Sequence, residues 1–259
     1  MVNSYDMKNY LIISLLFLSL GFSQKEYNYN DIIEMNNGLW TEKFSDEPIS
    51  GKVYGYFGEV GNPKKVYVGN LLKGKKEGRF TLWFNNGRKS SKGFYKDGKR
   101  DGLRTMWYEN GQKSYEGTWK DGKEDGLSTI WYKNGKKRLE HTYKNGKQDG
   151  LVTQWYENGN KSSKVTYKNE KLDGLGIWWY ENGQKNDEII YKDGNKDGLV
   201  TEWYENGQKD LEGTFKDGKR DGFFTYWYKN GQKESEKTFK DGEMISRKEW
   251  NRDGSVKND

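Results

Sequence analysis

Two residue types that often carry catalysis are almost absent from this chain of 259 residues, which contains no cysteine and a single histidine, His141. The lack of cysteine excludes thiol chemistry, and one histidine provides neither a histidine cluster for a metal ion nor much basis for a classical triad. His141 also stands where equivalent segments carry glycine or valine. We therefore interpret it as an ordinary strand residue, and we expect no enzymatic activity and no cofactor.

Carboxylates are plentiful, and some lie in pairs four residues apart that suggest a calcium site. Calcium loops supply more oxygen ligands and fewer cations between them, whereas Lys99 lies between Asp97 and Asp101. The carboxylates also recur at equivalent positions along the chain, while an active site would break the pattern in one place. We interpret these aspartates as turn residues, without a bound metal or a glycosidase-type pair. The other pairs are Asp121/Asp125 and Asp217/Asp221.

A row of tyrosines is the strongest candidate for a binding site. The strand pattern predicts that these residues lie on the polar face of a sheet, as an exposed ladder with a spacing of roughly 10 Å. Exposed rings in a row could stack on sugar rings or on a partner protein. The alternative is that they shield the sheet through cross-strand pairing, without any ligand. The ladder consists of Tyr108, Tyr132, Tyr156, Tyr180, Tyr204 and Tyr228.

These residues belong to a unit of 24 residues that repeats along most of the chain. Asp-Gly pairs recur at this spacing from Asp101 to Asp221, and an aromatic pair and an Asn-Gly pair follow each of them. The unit reads D-G-L-x-T-x-W-Y-x-N-G-x-K-x-x-x-x-T-Y-K-D-G-K-x. Asn-Gly and Asp-Gly tolerate positive φ and are strong hairpin signals when they lie between β-prone runs. Each unit is therefore predicted to be one β-hairpin.

The register of the hairpin follows from which side chains must share a face. A two-residue Asn-Gly loop would mix apolar and polar residues on both faces. A three-residue loop, with Gly111 in the left-handed position of a bulge, would place Leu103, Trp107, Tyr115 and Trp119 on one face. We predict the second register because it alone gives an amphipathic sheet.

The predicted fold is all-β, an elongated antiparallel meander of 24-residue β-hairpin repeats. The composition agrees, since the chain has 11 Trp, 19 Tyr, 11 Phe and 33 Gly and no alanine, which favours strands and turns over helices. Such arrays need several repeats and atypical ends. We predict a lead-in at 24–50, a degenerate capping repeat at 51–77, seven repeats at 78–242, and a partial hairpin and tail at 243–259.

The first 23 residues differ from the rest of the chain. Lys8 precedes an apolar run from Leu11 to Leu20, and small residues follow at Gly21 and Ser23. This pattern predicts a signal peptide at 1–23 with an apolar run too short to span a bilayer. We expect export to the periplasm, the cell surface or the medium, and a membrane anchor is the competing interpretation. The pattern is compatible with a start at Met1 or at Met7.

The net charge of +6 arises from 45 basic and 39 acidic residues. The two signs are mixed within the same short segments, so there is no basic block of the kind that nucleic-acid binding requires. We expect no nucleic-acid partner and no stable membrane insertion once the leader is removed.

The repeat resembles the MORN-repeat family, and more closely its bacterial variant. Segment 116–126, E-G-T-W-K-D-G-K-E-D-G, is similar to the Y-x-G-x-W-x-x-G-K-x-x-G core of the family, and 203–209 matches the W-Y-x-N-G-x-K of the variant. Asp-Gly replaces the His-Gly of the eukaryotic form, so lipid-binding roles do not transfer. The resemblance implies an elongated sheet that serves as a scaffold or binding platform.

The most direct functional hypothesis is a non-enzymatic, exported scaffold for protein interaction at the cell envelope, with an unknown protein partner. A second hypothesis is binding of carbohydrate or cell-wall polysaccharide through the tyrosine ladder. A third is an antitoxin-like component of a toxin–antitoxin pair, which some bacterial relatives are named for and which the predicted leader argues against.

Overall fold

The computed structural model describes residues 25–57 and 63–257. The predicted signal peptide lies outside the described residues. The described part contains 22 strands, one 3-10 helix at Tyr29–Asp31 and no α-helix. The all-β prediction is therefore confirmed.

The N-terminal strands form a cap at one end of the sheet. Strand β1 pairs in parallel with β4, and β2 and β3 form a separate two-stranded sheet. Side chains of this region, including Trp40 and Ile49, form an apolar cluster with Val53, Leu71 and Phe80 of the array. The strands are β1 Glu26–Asn28, β2 Ile32–Glu34, β3 Trp40–Glu42, β4 Gly51–Phe57 and β5 Lys64–Leu72.

From β4 onward, each strand pairs antiparallel with the next one along the chain, which is the predicted meander. In two units the first strand is interrupted and is numbered as two strands. These are β8 and β9 in one unit, and β15 and β16 in the other. The remaining strands are β6 Lys75–Trp83, β7 Lys89–Lys96, β8 Lys99–Arg100, β9 Gly102–Trp107, β10 Lys113–Lys120, β11 Lys123–Trp131, β12 Lys137–Lys144, β13 Lys147–Trp155, β14 Lys161–Lys168, β15 Lys171–Leu172, β16 Gly174–Trp179, β17 Lys185–Lys192, β18 Asn195–Trp203, β19 Lys209–Lys216, β20 Lys219–Trp227, β21 Lys233–Lys240 and β22 Glu243–Glu249.

The Asn-Gly end of each hairpin is a three-residue loop, as predicted. In the unit between β9 and β10, the Tyr108 N–H donates to the Gln112 carbonyl at 2.8 Å, and the Gly111 N–H donates to the Tyr108 carbonyl at 2.8 Å. Gly111 has a φ of 91°, in the left-handed region that glycine adopts without steric cost. The loop is a type I turn closed by a glycine bulge.

The Asp-Gly end is a two-residue turn in which both central residues have positive φ. Asp97 has a φ of 50° and Gly98 a φ of 82°, and Lys96 pairs with Lys99 across the turn. These values are typical of the type I′ turn that suits the twist of a hairpin. In one unit Glu170 replaces the glycine and still adopts a φ of 65°, so the geometry of the array prevails over the preference of the residue.

The predicted register beyond the Asn-Gly loop is wrong. Lys113 pairs with Trp107, but Tyr115 pairs with Met106, so the second strand contains one extra residue, Ser114. Because side chains alternate with a period of two, one inserted residue moves all later side chains of that strand to the other face. Tyr115 and Trp119 consequently share a face with Met106, and not with Leu103.

The sheet therefore has an inner face with most of the buried residues and an outer face with exposed leucines. On the inner face Val200 and Phe224 are 0% exposed, and partly buried rings of the same face such as Phe215 pack against their cluster. Phe224 packs edge to face on Phe215 and Phe239, with ring centroids 5.4 and 5.1 Å apart. The rings thus stack from strand to strand along the array, and each hairpin packs against its neighbours.

A glycine on the inner face makes room for these rings. A Cβ atom on Gly213 would lie 2.3 Å from the Phe224 ring. At this position only glycine allows the ring to approach the backbone.

Candidate functional site

The tyrosine ladder lies along the loop edge of the sheet and does not project from a strand face. Each tyrosine is the residue that follows the first strand of its hairpin, and its ring is half-buried. The hydroxyl of Tyr108 donates to the carbonyl of Trp131, one repeat further along, at 2.7 Å. The same bond is formed by Tyr132 to Trp155, Tyr156 to Trp179, Tyr180 to Trp203, Tyr204 to Trp227 and Tyr228 to Trp250.

The expectation of an exposed ladder is therefore wrong as to exposure. The tyrosines leave the strand at its end, and their hydroxyl groups are already used between repeats. Burial is the main cause that raises the pKa of Tyr204 to about 12, and a hydrogen bond with Asp210 adds to it. Burial also raises the pKa of Tyr180. These phenols remain protonated donors at neutral pH, so the first role of the ladder is to join repeats. Whether its partly exposed rings bind a ligand stays a prediction.

The asparagines of the Asn-Gly loops form a second ladder on the same edge. The Oδ1 atom of Asn110 accepts from the Gln112 N–H at 3.0 Å, and its Nδ2 atom donates to the Lys133 carbonyl of the next loop at 2.9 Å. One side chain therefore shapes its own turn and binds the next turn. The equivalent donors are Asn86, Asn134, Asn158, Asn182, Asn206 and Asn230.

The carboxylates of the Asp-Gly pairs stabilise the opposite edge. The Asp101 carboxylate accepts from the Asp121 N–H of the next turn at 3.3 Å, and Glu77 accepts in the same way from Asp97 at 2.9 Å. Among the described residues, no group of three or more His, Asp or Glu side chains is arranged to hold a metal ion. The geometry supports the interpretation of these aspartates as turn residues.

The outer face carries a third repeated arrangement, of lysine, glutamate and tryptophan. The Lys113 ammonium group lies 2.8 Å from the Glu116 carboxylate and 5.7 Å from the centre of the Trp131 ring in the next repeat. The ion pair and the lysine–tryptophan contact recur in the later units that have both the lysine and the glutamate. The unit of Lys161 lacks them because Lys164 stands in the glutamate position. The equivalent ion pairs are Lys137–Glu140, Lys185–Glu188, Lys209–Glu212 and Lys233–Glu236.

A row of exposed apolar side chains, which the predicted register did not reveal, runs along the outer face. We call it the leucine row. The wrong register placed Leu103 with the buried rings, whereas it is 45% exposed. No signal in the sequence marked it, because only the true register places Leu103 on the same face as Thr105 and Glu116, which are hydrogen-bonded at 3.2 Å. The row consists of Leu103, Leu127, Leu151, Leu175, Leu199 and Phe223, which are 44% to 76% exposed.

The leucine row is most apolar between β16 and β18. Leu175, Leu199 and Ile190 line a shallow groove there together with Trp203, Thr201 and the charged side chains of Glu188, Lys209 and Glu212. Ile190 replaces the threonine that most other units have at this position, so the groove gains an aliphatic side chain between the two leucines. Such a surface can bury apolar groups of a partner.

The inner face is polar around His141. The Tyr115 hydroxyl donates to the Glu124 carboxylate at 2.5 Å, and Ser128 donates to the same oxygen at 3.2 Å. His141 pairs across the strands with Ser128 and is 8% exposed, and its Nε2 atom has no hydrogen-bond partner within the described residues. Burial lowers the pKa of His141, and the Glu124 charge partly opposes this. Since Ser128 is directed at the carboxylate, these residues do not form a serine–histidine pair.

Comparison with known proteins agrees with the repeat. A family model described as MORN repeat variant matches six tandem segments, residues 100–121, 124–145, 148–169, 172–193, 196–217 and 220–241. The preceding unit, which begins near residue 76, lies outside the match although β6 and β7 form the same kind of hairpin. No curated protein matches the chain. Within the described residues, no helix is long and apolar enough to cross a membrane.

Proposed function

Because this chain belongs to the MORN repeat variant family, which is typically non-catalytic, we propose that it is a non-enzymatic, exported scaffold that binds a protein at the cell envelope. The leucine row is the observation that carries this proposal. Six apolar side chains at least 44% exposed, aligned on one face, form a larger apolar surface than isolated exposed leucines would. The apolar run from Leu11 to Leu20 after Lys8 supports export.

The chemistry of the outer face favours a protein partner over a polysaccharide. Sugars stack on flat aromatic rings, but five of the six members of the leucine row are aliphatic. The tryptophans of this face are partly covered, since Lys185 lies 5.3 Å from the centre of the Trp203 ring. An apolar strip of this kind is suited to apolar side chains of another protein.

The charges beside the leucine row indicate the kind of protein surface that fits. Lysine and glutamate alternate there as ion pairs, so the flank is close to neutral and gives no strong attraction to a partner of one sign. The partner surface is therefore an elongated apolar strip with mixed charges at its rim. Polysaccharide binding through the partly exposed rings of the tyrosine ladder is the second candidate.

Site-specific photo-crosslinking in the native cell envelope tests the proposal. A photoreactive residue at position 151 should form one discrete adduct with a protein. The triple variant Leu103→Glu, Leu127→Glu, Leu175→Glu should reduce this adduct at least fivefold, because it places three charges in an apolar contact. The control variant Lys120→Gln, Lys144→Gln, Lys168→Gln changes the charge by the same amount at exposed turns of the array and should leave the adduct unchanged.

Equal crosslinking by the two triple variants would overturn the assignment of the leucine row. The second candidate would be favoured by three results together. The protein would be retained on insoluble envelope polysaccharide, Tyr→Ala substitution of the ladder would abolish this binding, and no protein adduct would form at position 151.

A further inference from the structure

A cleft lies where the N-terminal cap meets the first Asp-Gly turns, and it shares no residue with the leucine row. It has a volume of about 320 Å³, within the range of small-molecule sites of roughly 300–1,000 Å³. Its walls include Glu34, Trp40, Lys76, Tyr95, Lys99 and Arg100.

The cleft carries an excess of positive charge. Three cations face one carboxylate, and none of Lys76, Lys99 and Arg100 forms a salt bridge within the part of the chain that the structure describes. On the outer face, by contrast, lysines such as Lys113 are paired with glutamate. The unpaired cations form a site with affinity for an anion.

Two of the cations are held in place by aromatic rings. The Lys76 ammonium group lies 4.7 Å from the centre of the Trp40 ring and 5.2 Å from that of Tyr95. The Arg100 guanidinium group lies 4.7 Å from the centre of the Trp119 ring. Cation–π contacts of this kind position the charge while leaving N–H donors free for a ligand. Binding would therefore cost little side-chain entropy.

The cleft occurs at only one place in the described array. The residue equivalent to Arg100 is Glu124 in the next unit and Gln148 in the one after it. Most later turns keep a lysine equivalent to Lys99, and Arg220 is equivalent to Arg100, but these turns lack the cap residues Trp40 and Glu34 that line the cleft. The site thus depends on the junction between cap and array.

We propose that this cleft binds an acidic sugar, a six-membered ring that carries a carboxylate. Lys99 and Arg100 bind the carboxylate, and the part of the Tyr95 ring that Lys76 leaves open contacts the apolar face of the sugar. Trp40 is 8% exposed and serves to position Lys76. Glu34 accepts hydrogen bonds from sugar hydroxyl groups. The proposal is independent of the protein partner of the leucine row, so the two can fail separately.

Calorimetric titration of the purified protein tests the proposal, with glucuronate as the probe. Glucose lacks the charge and acetate lacks the ring, so both should bind at least tenfold more weakly than glucuronate. Lys99→Glu reverses an exposed charge without removing a packing contact and should weaken glucuronate binding at least tenfold. Lys147→Glu changes a lysine at the equivalent turn position two units away, which is paired with Glu170 at 3.0 Å, and should have no effect on glucuronate binding.

Arg100→Gln should weaken glucuronate binding as Lys99→Glu does, and its thermal unfolding curve reports whether loss of the Trp119 contact has altered the fold. The proposal fails if glucuronate shows no saturable binding, if acetate binds as tightly as glucuronate, or if Lys99→Glu and Lys147→Glu have equal effects.

Discussion

At the scale of single residues, the array tolerates a polar side chain at a core position at a cost in stability. His141 occupies the inner-face slot that is Val165 in the next unit, and it pairs with Val152 on the following strand. A buried nitrogen without a partner costs about 1–3 kcal/mol. His141 is therefore a local defect of the repeat, at the border of a polar part of the inner face.

Substitution of this histidine should stabilise the protein, and more so at acidic pH. Burial keeps the folded-state pKa of His141 below its ordinary value of 6.5. The unfolded chain therefore takes up a proton first as the pH falls, and stability is lost between the ordinary pKa and the lowered one. In urea unfolding, His141→Val should gain about 1 kcal/mol at pH 7.5, and the gain should be larger at pH 5.5.

The difference between variant and wild type isolates this histidine from other titrating groups. Burial raises the pKa values of Asp187 and Glu202, which contribute to the pH dependence of both proteins alike. A gain that is the same at both pH values would contradict the assignment of a neutral, buried His141.

At the scale of the hairpin, each element is joined to the next by bonds that the strand ladder does not supply. The tyrosine hydroxyl and the asparagine amide both reach carbonyls one repeat away. On the other edge, the N–H of the turn glycine donates to a carbonyl of the preceding unit, as Gly122 does to the Arg100 carbonyl at 2.8 Å. Consecutive hairpins are therefore fixed at both ends as well as along their strands.

Removal of one tyrosine hydroxyl measures the strength of this connection. Tyr156→Phe deletes the bond of 2.8 Å to the Trp179 carbonyl while the half-buried ring remains. We expect a loss of about 1 kcal/mol in the free energy of unfolding, measured with urea. Tyr167→Phe is the matched control, because the Tyr167 hydroxyl makes no hydrogen bond within the described residues. Equal effects of the two substitutions would show that the ladder bond contributes nothing.

The hairpins and both kinds of turn could be predicted from the sequence, because Asn-Gly and Asp-Gly act locally through φ. The register could not, because it depends on one inserted residue, Ser114, whose type does not reveal the bulge. That single shift exchanged the positions of Leu103 and Arg104, and it hid the leucine row. The partner of the Tyr108 hydroxyl was also inaccessible, since it is a backbone carbonyl 23 residues away.

At the scale of the whole molecule, the sheet is a linear array in which each hairpin contacts mainly the hairpins before and after it. From β4 to β22, the described strands pair with their neighbours in sequence, and β7 and β14 each pair with both parts of an interrupted neighbour; the one other contact is the parallel pairing of β1 with β4. The stability of such arrays is approximately a sum of terms for each repeat and for each contact between neighbours. Length can therefore change without a change of fold, provided that whole units are removed.

Deletion of one complete unit, residues 172–195, tests this property. The deletion joins Lys171 directly to Lys196, so Lys196 takes the place of Leu172. Strand β14 would then pair with β18 in place of β16, and Val165 would meet Val200 on the inner face. We expect the same β-type circular dichroism spectrum and a cooperative transition with a smaller dependence on urea, because less surface is exposed on unfolding. Deletion of residues 185–196 removes a single strand and reverses the direction of the strands that follow. If this shorter deletion folds as well as the longer one, the array is not built from whole hairpins.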